Sequence, residues 1–448
     1  MKYSKNLLIS EINRIRNEIG HDEVKIFIKD IFFDEKTDTI WIVTKDRGSK
    51  SGIIGKGGWV VGRLKEDLNI KKIHVESHSD FILKEYQMKL SLSKLNSFIE
   101  MKNKKLVKLN DDKINDVVRK ESLTGILNLR ELLKSKTNQT YKFNLENYLN
   151  KKIFSHTDEK NQLNDDKHQA VIALSGGVDS SFSLILAKYL GFNPIAITVD
   201  PGTIILPKIF KNNINNLTKK LNVEHYYLKR DYKSIIEDSL NGRFHPCGRC
   251  SAMTGKNIFE FAYKKGIDIV IFGDLLSTGC QCLTTNKIRF SDEINTNKNS
   301  ITNENNNEIN NNKINNNKIN NNKINNNKIN NNKINNNKIN NNKINNNKIN
   351  NNEINNNEIK TSDKENEITM FRLNLPATLS IGKEEIREFV SKFDIKKIKG
   401  FGCPLLHEAH KKYPHIKKFS IQRILRETRS GALEPGEAIE QIWSFYKT

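Results

Sequence analysis

The stretch Val171-Ile-Ala-Leu-Ser-Gly-Gly-Val-Asp-Ser-Ser181 decides the fold that we expect for this chain. It opens as a short apolar run, passes through a loop of serine and glycine, and continues into a segment with helical character up to Leu190. Glycines allow a tight turn, so several backbone N–H groups and the helix N-terminus can face an anion. The pattern therefore predicts a strand, a phosphate-binding loop and a helix in succession.

The six residues from Ser175 to Ser180 resemble the PP-loop, SGGxDS, of the ATP pyrophosphatase superfamily. No Walker A sequence, GxxxxGK[ST], occurs in the chain. The resemblance implies that ATP adenylates an acceptor oxygen and that pyrophosphate leaves, with Asp179 serving magnesium and catalysis. The residues expected to bind ATP are Ser175, Gly176, Gly177, Val178, Asp179, Ser180 and Ser181.

Predicted strands and helices alternate after this loop, with further strands at 193–199, 225–228 and 268–272. Such alternation predicts an α/β fold with a doubly wound parallel sheet, similar to the adenine nucleotide alpha hydrolases. Ligands of open parallel sheets bind beyond the carboxyl ends of the strands. Asp200 and Gly273 follow two of these strands, so we expect them near the nucleotide, although Asp200 could equally belong to a simple turn. Asp274 is expected to have a catalytic role.

The five cysteines all follow residue 246, and Cys247 and Cys250 form a CxxC. In a reducing compartment this spacing indicates metal, cluster or redox chemistry more often than a structural bridge. With Cys403, the chain resembles the tRNA 2-thiolation enzymes of the PP-loop superfamily, which carry a CxxC and a third, distant cysteine. The resemblance implies that Cys247, Cys250 and Cys403 bind a [4Fe–4S] cluster, and that Cys247 and Cys403 act in sulfur transfer.

Two other uses of these cysteines stay open. The thiols could bind structural zinc, or Cys247 and Cys403 could pass a persulfide and resolve it as a disulfide. Cys280 and Cys282 could be further ligands or merely buried thiols. The chain departs from the family at Gly273-Asp-Leu-Leu-Ser277, where members commonly carry Gly-His-x-x-Asp-Asp, and it lacks their zinc-finger modules.

The segment Ile53-Ile-Gly-Lys-Gly-Gly-Trp-Val-Val61 resembles the Ile-Ile-Gly-x-x-Gly motif of KH domains. The predicted order of helix, strand, strand, GxxG, helix and strand agrees with a type II KH fold. A loop with few side chains lets backbone amides approach RNA phosphates. A second basic region at 411–429 carries a net charge of +6, although a merely solvated helix face would look similar. The residues expected to bind RNA are Gly55, Lys56, Gly57, Gly58, Arg63, Lys411, Lys412, Arg423 and Arg426.

The composition limits these interpretations. The 448 residues carry a net charge of +22, and only 36% are hydrophobic. From about residue 308 to 359 the unit Lys/Glu-Ile-Asn-Asn-Asn repeats, which fits neither helical nor strand periodicity. Isolated isoleucines among asparagines bury too little surface to offset ordering entropy, so we expect disorder. The repeat holds eight lysines and three glutamates, so the remaining chain is basic in its own right and suggests a polyanionic partner.

The predicted organisation is a KH-like RNA-binding domain at 1–78, a helix-rich connection at 79–165, a PP-loop domain at 166–290, a disordered insertion at 291–366, and the rest of the PP-loop domain with basic helices at 367–448. No run of ~18 apolar residues occurs, and Met1 to Arg14 lacks a signal-peptide core, so we expect a cytoplasmic protein without a membrane span.

The expected function is ATP-dependent tRNA thiolation, with ATP, Mg²⁺ and a cluster as cofactors. The expected partners are a tRNA and a sulfur donor that the sequence does not name, and a homodimer stays open. Two alternatives stand beside it. One is a PP-loop ligase that adenylates and then transfers nitrogen to form an amide. The other is an RNA-binding protein that only senses ATP.

Overall fold

The computed structural model describes residues 3–35, 38–109, 123–139, 143–154, 169–275, 283–289, 367–396 and 402–446. All of them belong to one compact unit, formed by 1–300 and 367–448. The expected disordered insertion at 291–366 lies outside the described residues, as do Cys280 and Cys282. No helix in the described part of the chain is long and apolar enough to cross a membrane.

The amino-terminal part is a small α/β unit built on a three-stranded sheet. The strands lie in the order β1-β2-β3, with β1 antiparallel to β2 and β2 parallel to β3. The elements are α1 (Lys5–Glu18), β1 (Ile28–Asp34), β2 (Thr39–Thr44), α2 (Arg47–Ile54), α3 (Trp59–Asp67) and β3 (Lys72–Ser77). Their order agrees with the helix, strand, strand, GxxG, helix, strand prediction, with α2 as an addition.

One face of this small sheet is buried under its helices. Ile40, Ile42 and Val75 on the sheet pack with Leu8 and Ile12 of α1 in one apolar cluster. Alternate side chains of a strand point to opposite faces, so the intervening residue Trp41 belongs to the other face of the sheet. There, Trp41 and His74 are register partners whose rings stack with centroids 4.1 Å apart.

Among the residues that the structure describes, three helices lie between the small unit and the second sheet. They are α4 (His78–Leu109), α5 (Thr124–Gln139) and α6 (Leu145–Phe154). Helix α4 packs on α5, and both contribute buried leucines to the largest apolar cluster of the molecule. This region therefore forms part of the main core.

The second sheet is mixed and mostly parallel, with the strand order β6-β5-β4-β7-β9-β8. Only the edge pair β8 and β9 is antiparallel among the described strand pairs of this sheet. The α/β class is thus confirmed, but the sheet is not parallel throughout. The strands are β4 (Gln169–Ala173), β5 (Asn193–Asp200), β6 (Glu224–Lys229), β7 (Ile269–Phe272), β8 (Leu283–Arg289) and β9 (Glu367–Asn374).

Helices cover both faces of this sheet, as a doubly wound fold requires. Ile172 packs into one apolar cluster together with Phe182, whereas the adjacent Val171 packs into a second cluster with Ile258 and Phe261. The helices are α7 (Val178–Tyr189), α8 (Lys208–Leu221), α9 (Lys233–Leu240), α10 (Pro246–Lys264), α11 (Leu375–Thr378), α12 (Lys383–Val390), α13 (Pro404–Lys412), α14 (Lys417–Arg429) and α15 (Pro435–Ser444).

We expect the stability of this fold to decrease in acid because of His225 on β6. Its Nε2 lies 2.8 Å from Thr198 Oγ1 in a partly buried position, and burial lowers the pKa of His225 to about 4. In the unfolded chain this histidine binds a proton near pH 6.5. The contribution of neutral His225 to the free energy of unfolding is therefore fully present above pH 6.5 and is lost as the pH falls toward 4. The free energy of unfolding should drop by about 2 kcal/mol between about pH 7 and pH 5 from this group.

Urea unfolding of the wild type and of His225→Gln at the two pH values tests this prediction. The substitution should lower the stability at both pH values but shrink the difference between them by about 2 kcal/mol. An equal pH dependence of the free energy of unfolding in the wild type and in His225→Gln would contradict it.

Candidate functional site

The segment from Ser175 to Ser180 follows β4 and runs into the first turn of α7, which begins at Val178, so the predicted succession of strand, loop and helix is confirmed. Ser180 Oγ closes it by accepting a hydrogen bond from the Ser175 amide at 3.1 Å and donating to the Gly177 carbonyl at 3.1 Å. Gly177 is the extended N-cap residue of α7, and no side chain caps this helix. The free amides of the first helical turn and the positive end of the helix dipole therefore point toward the loop, an arrangement suited to an anion.

Two glycines bring other backbone segments against this loop. Gly176 has a φ of +74°, and a Cβ there would lie 2.5 Å from the carbonyl oxygen of Phe210. Gly273 follows β7, and a Cβ there would lie 2.7 Å from backbone atoms of both Asp179 and Ser180. Both positions thus require glycine, because the neighbouring atoms belong to the main chain and cannot rotate away.

Asn213 of α8 is hydrogen-bonded to the backbone of the loop, and the sequence did not predict it as part of the site. Its side chain is buried, and its Nδ2 donates to the carbonyl oxygens of Gly176 at 2.9 Å and Lys396 at 2.8 Å. Its Oδ1 accepts from the Lys396 amide at 3.1 Å. Sequence reasoning missed Asn213 because it is one of several asparagines in an ordinary amphipathic helix.

Asp179 lies among charges from the carboxyl-terminal helices. Burial raises the pKa of Asp179, and the positive charges of Lys383 and Arg423 act in the opposite direction. Glu427, which is 1% exposed, forms ion pairs with both Lys383 and Arg423. The helix α14 was predicted as a basic surface. It therefore places an arginine and a buried glutamate within electrostatic range of Asp179.

The three cysteines predicted as ligands lie at the amino-terminal ends of two neighbouring helices. Cys247 and Cys250 are in the first turns of α10, and Cys403 is the N-cap residue of α13, which packs against α10. The backbone of α13 is also bonded to the segment after β5, since the Leu405 amide donates to the Ile204 carbonyl at 2.9 Å. The three thiols are free, and the fold brings them together from distant parts of the chain.

The thiols interact electrostatically with one another. Burial, together with the charges of Cys403 and Cys247, raises the pKa of Cys250 to about 12. Burial likewise raises the pKa of Cys403, whereas hydrogen bonds from the backbone amides of Leu406 and Leu405 lower it. The three thiols are therefore protonated at neutral pH in the absence of a bound cation.

Arg423 connects the thiols with the phosphate-binding loop. Burial raises the pKa of Cys247, and the Arg423 guanidinium lowers it through its charge and a hydrogen bond to the thiol. The same guanidinium acts on Asp179. Arg423 was predicted from its sequence neighbours as an RNA-backbone contact, and the structure places its guanidinium beside Cys247 and within electrostatic range of Asp179.

A chain of hydrogen bonds holds the CxxC in place. His245 Nδ1 accepts from the Cys247 amide at 3.4 Å and so caps α10, which assigns the proton to Nε2. His245 Nε2 then donates to Ser420 Oγ at 2.9 Å, and Ser420 Oγ donates to His410 Nε2 at 3.0 Å. Burial lowers the pKa of both histidines, so the neutral ring forms that this chain requires are favoured.

The thiol donor set suits a cluster in its chemistry, because iron–sulfur clusters are held by cysteine thiolates. Among the residues that the structure describes, however, no group of three or more His, Cys, Asp or Glu side chains is arranged to hold a metal ion. The assignment of Cys247, Cys250 and Cys403 as metal ligands therefore stays a prediction.

The two other predicted carboxylates lie at the ends of their strands and are paired. Asp200 forms an ion pair with Lys211 and accepts from the Gly202 amide at 3.1 Å. Asp274 forms an ion pair with Arg372, whose guanidinium also stacks over the ring of Phe272. Either carboxylate would have to exchange its partner in order to contact a nucleotide or a metal ion.

The GxxG segment has the conformation expected of a side-chain-poor turn. Gly55, Gly57 and Gly58 all have positive φ, and a Cβ at Gly55 would lie 2.2 Å from the side chain of Val60. Lys56 begins the turn, and Arg63 pairs with Asp67 one helical turn further on at 3.4 Å.

The predicted basic residues near the carboxyl terminus are distributed over two helices. Lys411 and Lys412 end α13, and Lys412 Nζ donates to the carbonyl oxygen of Leu240 at 3.3 Å. Arg423 and Arg426 belong to α14, which begins after a turn at Pro414–Ile416. The basic region is thus not one continuous helical face.

A cavity of about 980 Å³ lies between the open face of the small sheet and α12. The stacked pair Trp41 and His74 lines it, together with Lys136, which pairs with Glu385. Side chains of both signs line the walls, and none of the cysteines or of the phosphate-loop residues does so. Lys383, whose charge acts on Asp179, also lines this cavity, so the cavity borders the candidate site.

Comparison with known proteins gives limited further information. No protein-family model matches the chain. The uncharacterized protein MJ1638 of Methanocaldococcus jannaschii is 27% identical over 337 residues, which cover 75% of this chain and 96% of that protein. The uncharacterized protein MJ1599 of the same organism is 31% identical over 114 residues, which cover 25% of this chain and 40% of that protein.

One solved structure also shows a local match. It is a predicted subunit of tRNA methyltransferase from Methanocaldococcus jannaschii, 24% identical, with 24% of this chain and 53% of that chain covered and a TM-score of 0.19. A match with so low a score supports no conclusion about the fold or the function of this chain.

Proposed function

We propose that this chain is an ATP-dependent RNA thiolation enzyme of the PP-loop type, with tRNA as its substrate. The observation that carries the proposal is the position of Arg423, which acts on both Asp179 of the phosphate-binding loop and Cys247 of the CxxC. A thiolation enzyme must adenylate a carbonyl oxygen with ATP and deliver sulfur to the carbon that bears this oxygen, which leaves with AMP. It therefore needs a phosphate site and a sulfur site side by side.

In this proposal the loop amides and the α7 N-terminus bind the phosphates of ATP. The base carbonyl oxygen attacks the α-phosphorus, and the bond to pyrophosphate breaks. Preorganised amides and the charges of Lys383 and Arg423 would stabilise the negative charge on the leaving phosphates. Magnesium is usually held by one or two carboxylates together with substrate phosphates, and Asp179 is the carboxylate at this loop.

Cys247, Cys250 and Cys403 serve the second half of the reaction, in which sulfur attacks the activated carbon and AMP leaves. These three residues would hold a [4Fe–4S] cluster. The alternatives are a zinc ion, or a persulfide that Cys247 and Cys403 pass on and resolve as a disulfide. When bound, a cluster with three cysteine ligands supplies one iron without a protein ligand that can carry sulfur. The GxxG segment of the KH-like unit would bind the RNA backbone.

The decisive experiment measures pyrophosphate and AMP release from ATP, with and without unmodified tRNA and inorganic sulfide. The proposal predicts RNA-dependent release of both products and the appearance of a thiolated nucleoside in digested RNA. An RNA-binding protein that only senses ATP would release neither product. A ligase that forms an amide would release both products with an amine donor and leave no sulfur in the RNA.

A further inference from the structure

Four large aromatic side chains are exposed next to the GxxG segment and on or beside the last two helices. Trp59 directly follows this segment and is 72% exposed. Trp443 and Tyr446 at the end of α15 are 60% and 56% exposed, and Phe419 near the start of α14 is 43% exposed. Exposed apolar surface of this size, bordered by charges, is typical of an interaction site.

Contacts connect the elements that carry these rings, beginning at the GxxG segment. Helix α15 lies against the Lys56–Gly58 turn, and Tyr446 follows Trp443 in the turn that ends this helix. The Lys417 ammonium then lies over the Tyr446 ring, 4.8 Å from its centroid.

One of these rings lies near the CxxC. Phe419 is two residues beyond Lys417, and its ring centroid lies 6.0 Å from that of His245. His245 is the residue that caps α10 through the amide of Cys247. The exposed rings therefore belong to elements that connect the predicted RNA-binding turn with the candidate sulfur site.

Lysines accompany these rings. Lys56 lies in the GxxG segment, Lys417 lies over Tyr446, and Lys418 Nζ lies 5.0 Å from the ring centroid of Phe419. Unpaired bases stack on aromatic rings while cations neutralise the phosphates, and this combination is typical of surfaces that bind single strands. A duplex buries its base faces and cannot use such rings.

We infer that Trp59, Trp443, Tyr446 and Phe419 form a stacking track for single-stranded RNA. The inference rests on the proposed function in taking this RNA as the substrate. The track would guide an unpaired segment from the KH-like turn to the cysteines, so that the base to be modified reaches the site already unstacked.

Fluorescence anisotropy with a labelled single-stranded oligouridine of about ten nucleotides tests the inference. Trp59→Ala and Trp443→Ala should each weaken binding by about 5- to 100-fold, the range expected for losing one stacked base. Affinity for an RNA duplex of equal length should not change. The matched control is Tyr86→Ala on α4, which removes another ring that is 59% exposed and should leave both affinities unchanged.

The inference would be overturned if both tryptophan variants bound the single strand as tightly as the wild type does. It would also be overturned if Tyr86→Ala lost as much affinity for the single strand as they do. Dissociation of a dimer by Trp443→Ala, with unchanged RNA affinity, would overturn it by assigning the surface to a second copy of the chain. Pyrophosphate release, measured in parallel, separates this inference from the proposed function. Weakened binding without any release in the wild type would leave the track in place and refute the thiolation enzyme.

Discussion

Gly273→Ala is expected to lower RNA-dependent pyrophosphate release by about 100-fold, the size of effect that a shift of about 1 Å in a reacting group can produce. A Cβ at this position would lie 2.7 Å from the carbonyl carbon and oxygen of Asp179 and from the amide nitrogen of Ser180. These are main-chain atoms of the first turn of α7, so only a displacement of the loop or of β7 can remove the overlap. Either displacement would misplace the amides to which we assign the phosphates of ATP.

The matched control is Gly62→Ala in α3, where a Cβ would meet no atom within 4 Å. Alanine is favoured over glycine inside a helix, so this variant should be as stable as the wild type or slightly more so, and fully active. Thermal unfolding of both variants separates a displaced loop from a protein that fails to fold. A folded Gly273→Ala variant with wild-type pyrophosphate release would exclude the Ser175–Ser180 loop as the ATP site.

The elements around this loop could be predicted because their signals are local. The apolar run before Ser175, the glycines and the helical periodicity after Ser180 all lie within one short stretch. The helix α2 was missed for the opposite reason. Its sequence is rich in glycine and serine, and it depends on Asp46, whose side chain accepts from the Ser49 amide at 2.8 Å.

The candidate site could be predicted only where its residues lie together in the sequence. Arg423 lies in a run of basic residues, and nothing in that run distinguishes the arginine that lies beside Cys247 from its neighbours. Its position is set by tertiary packing, with the buried Glu427 one helical turn away. Tertiary packing also sets the partners of Arg47 and Lys50, which precede the GxxG segment and form ion pairs with Asp80 and Glu434.

Cys403→Ser is expected to abolish sulfur incorporation while ATP-dependent adenylation continues. Loss of residues that only support a metal ligand typically costs 10- to 100-fold, so loss of a direct sulfur ligand or carrier should exceed about 100-fold. Adenylation should persist because the phosphate-binding loop is built from β4 and α7 and does not contain Cys403. Digested RNA analysed by mass spectrometry, with pyrophosphate release measured on the same samples, reports both half-reactions.

The separation of the two half-reactions is what makes this variant informative. If sulfur and ATP chemistry occupy adjacent sites linked by Arg423, the Cys403→Ser enzyme should consume ATP and accumulate adenylated RNA. The control Ser251→Ala, at an exposed position next to the CxxC, should form thiolated RNA at the wild-type rate. Full product formation by Cys403→Ser would mean that the cysteines are structural, and the nitrogen-transferring ligase would then become the better account. Loss of both half-reactions in a folded Cys403→Ser variant would mean that the thiols and the nucleotide share one inseparable site.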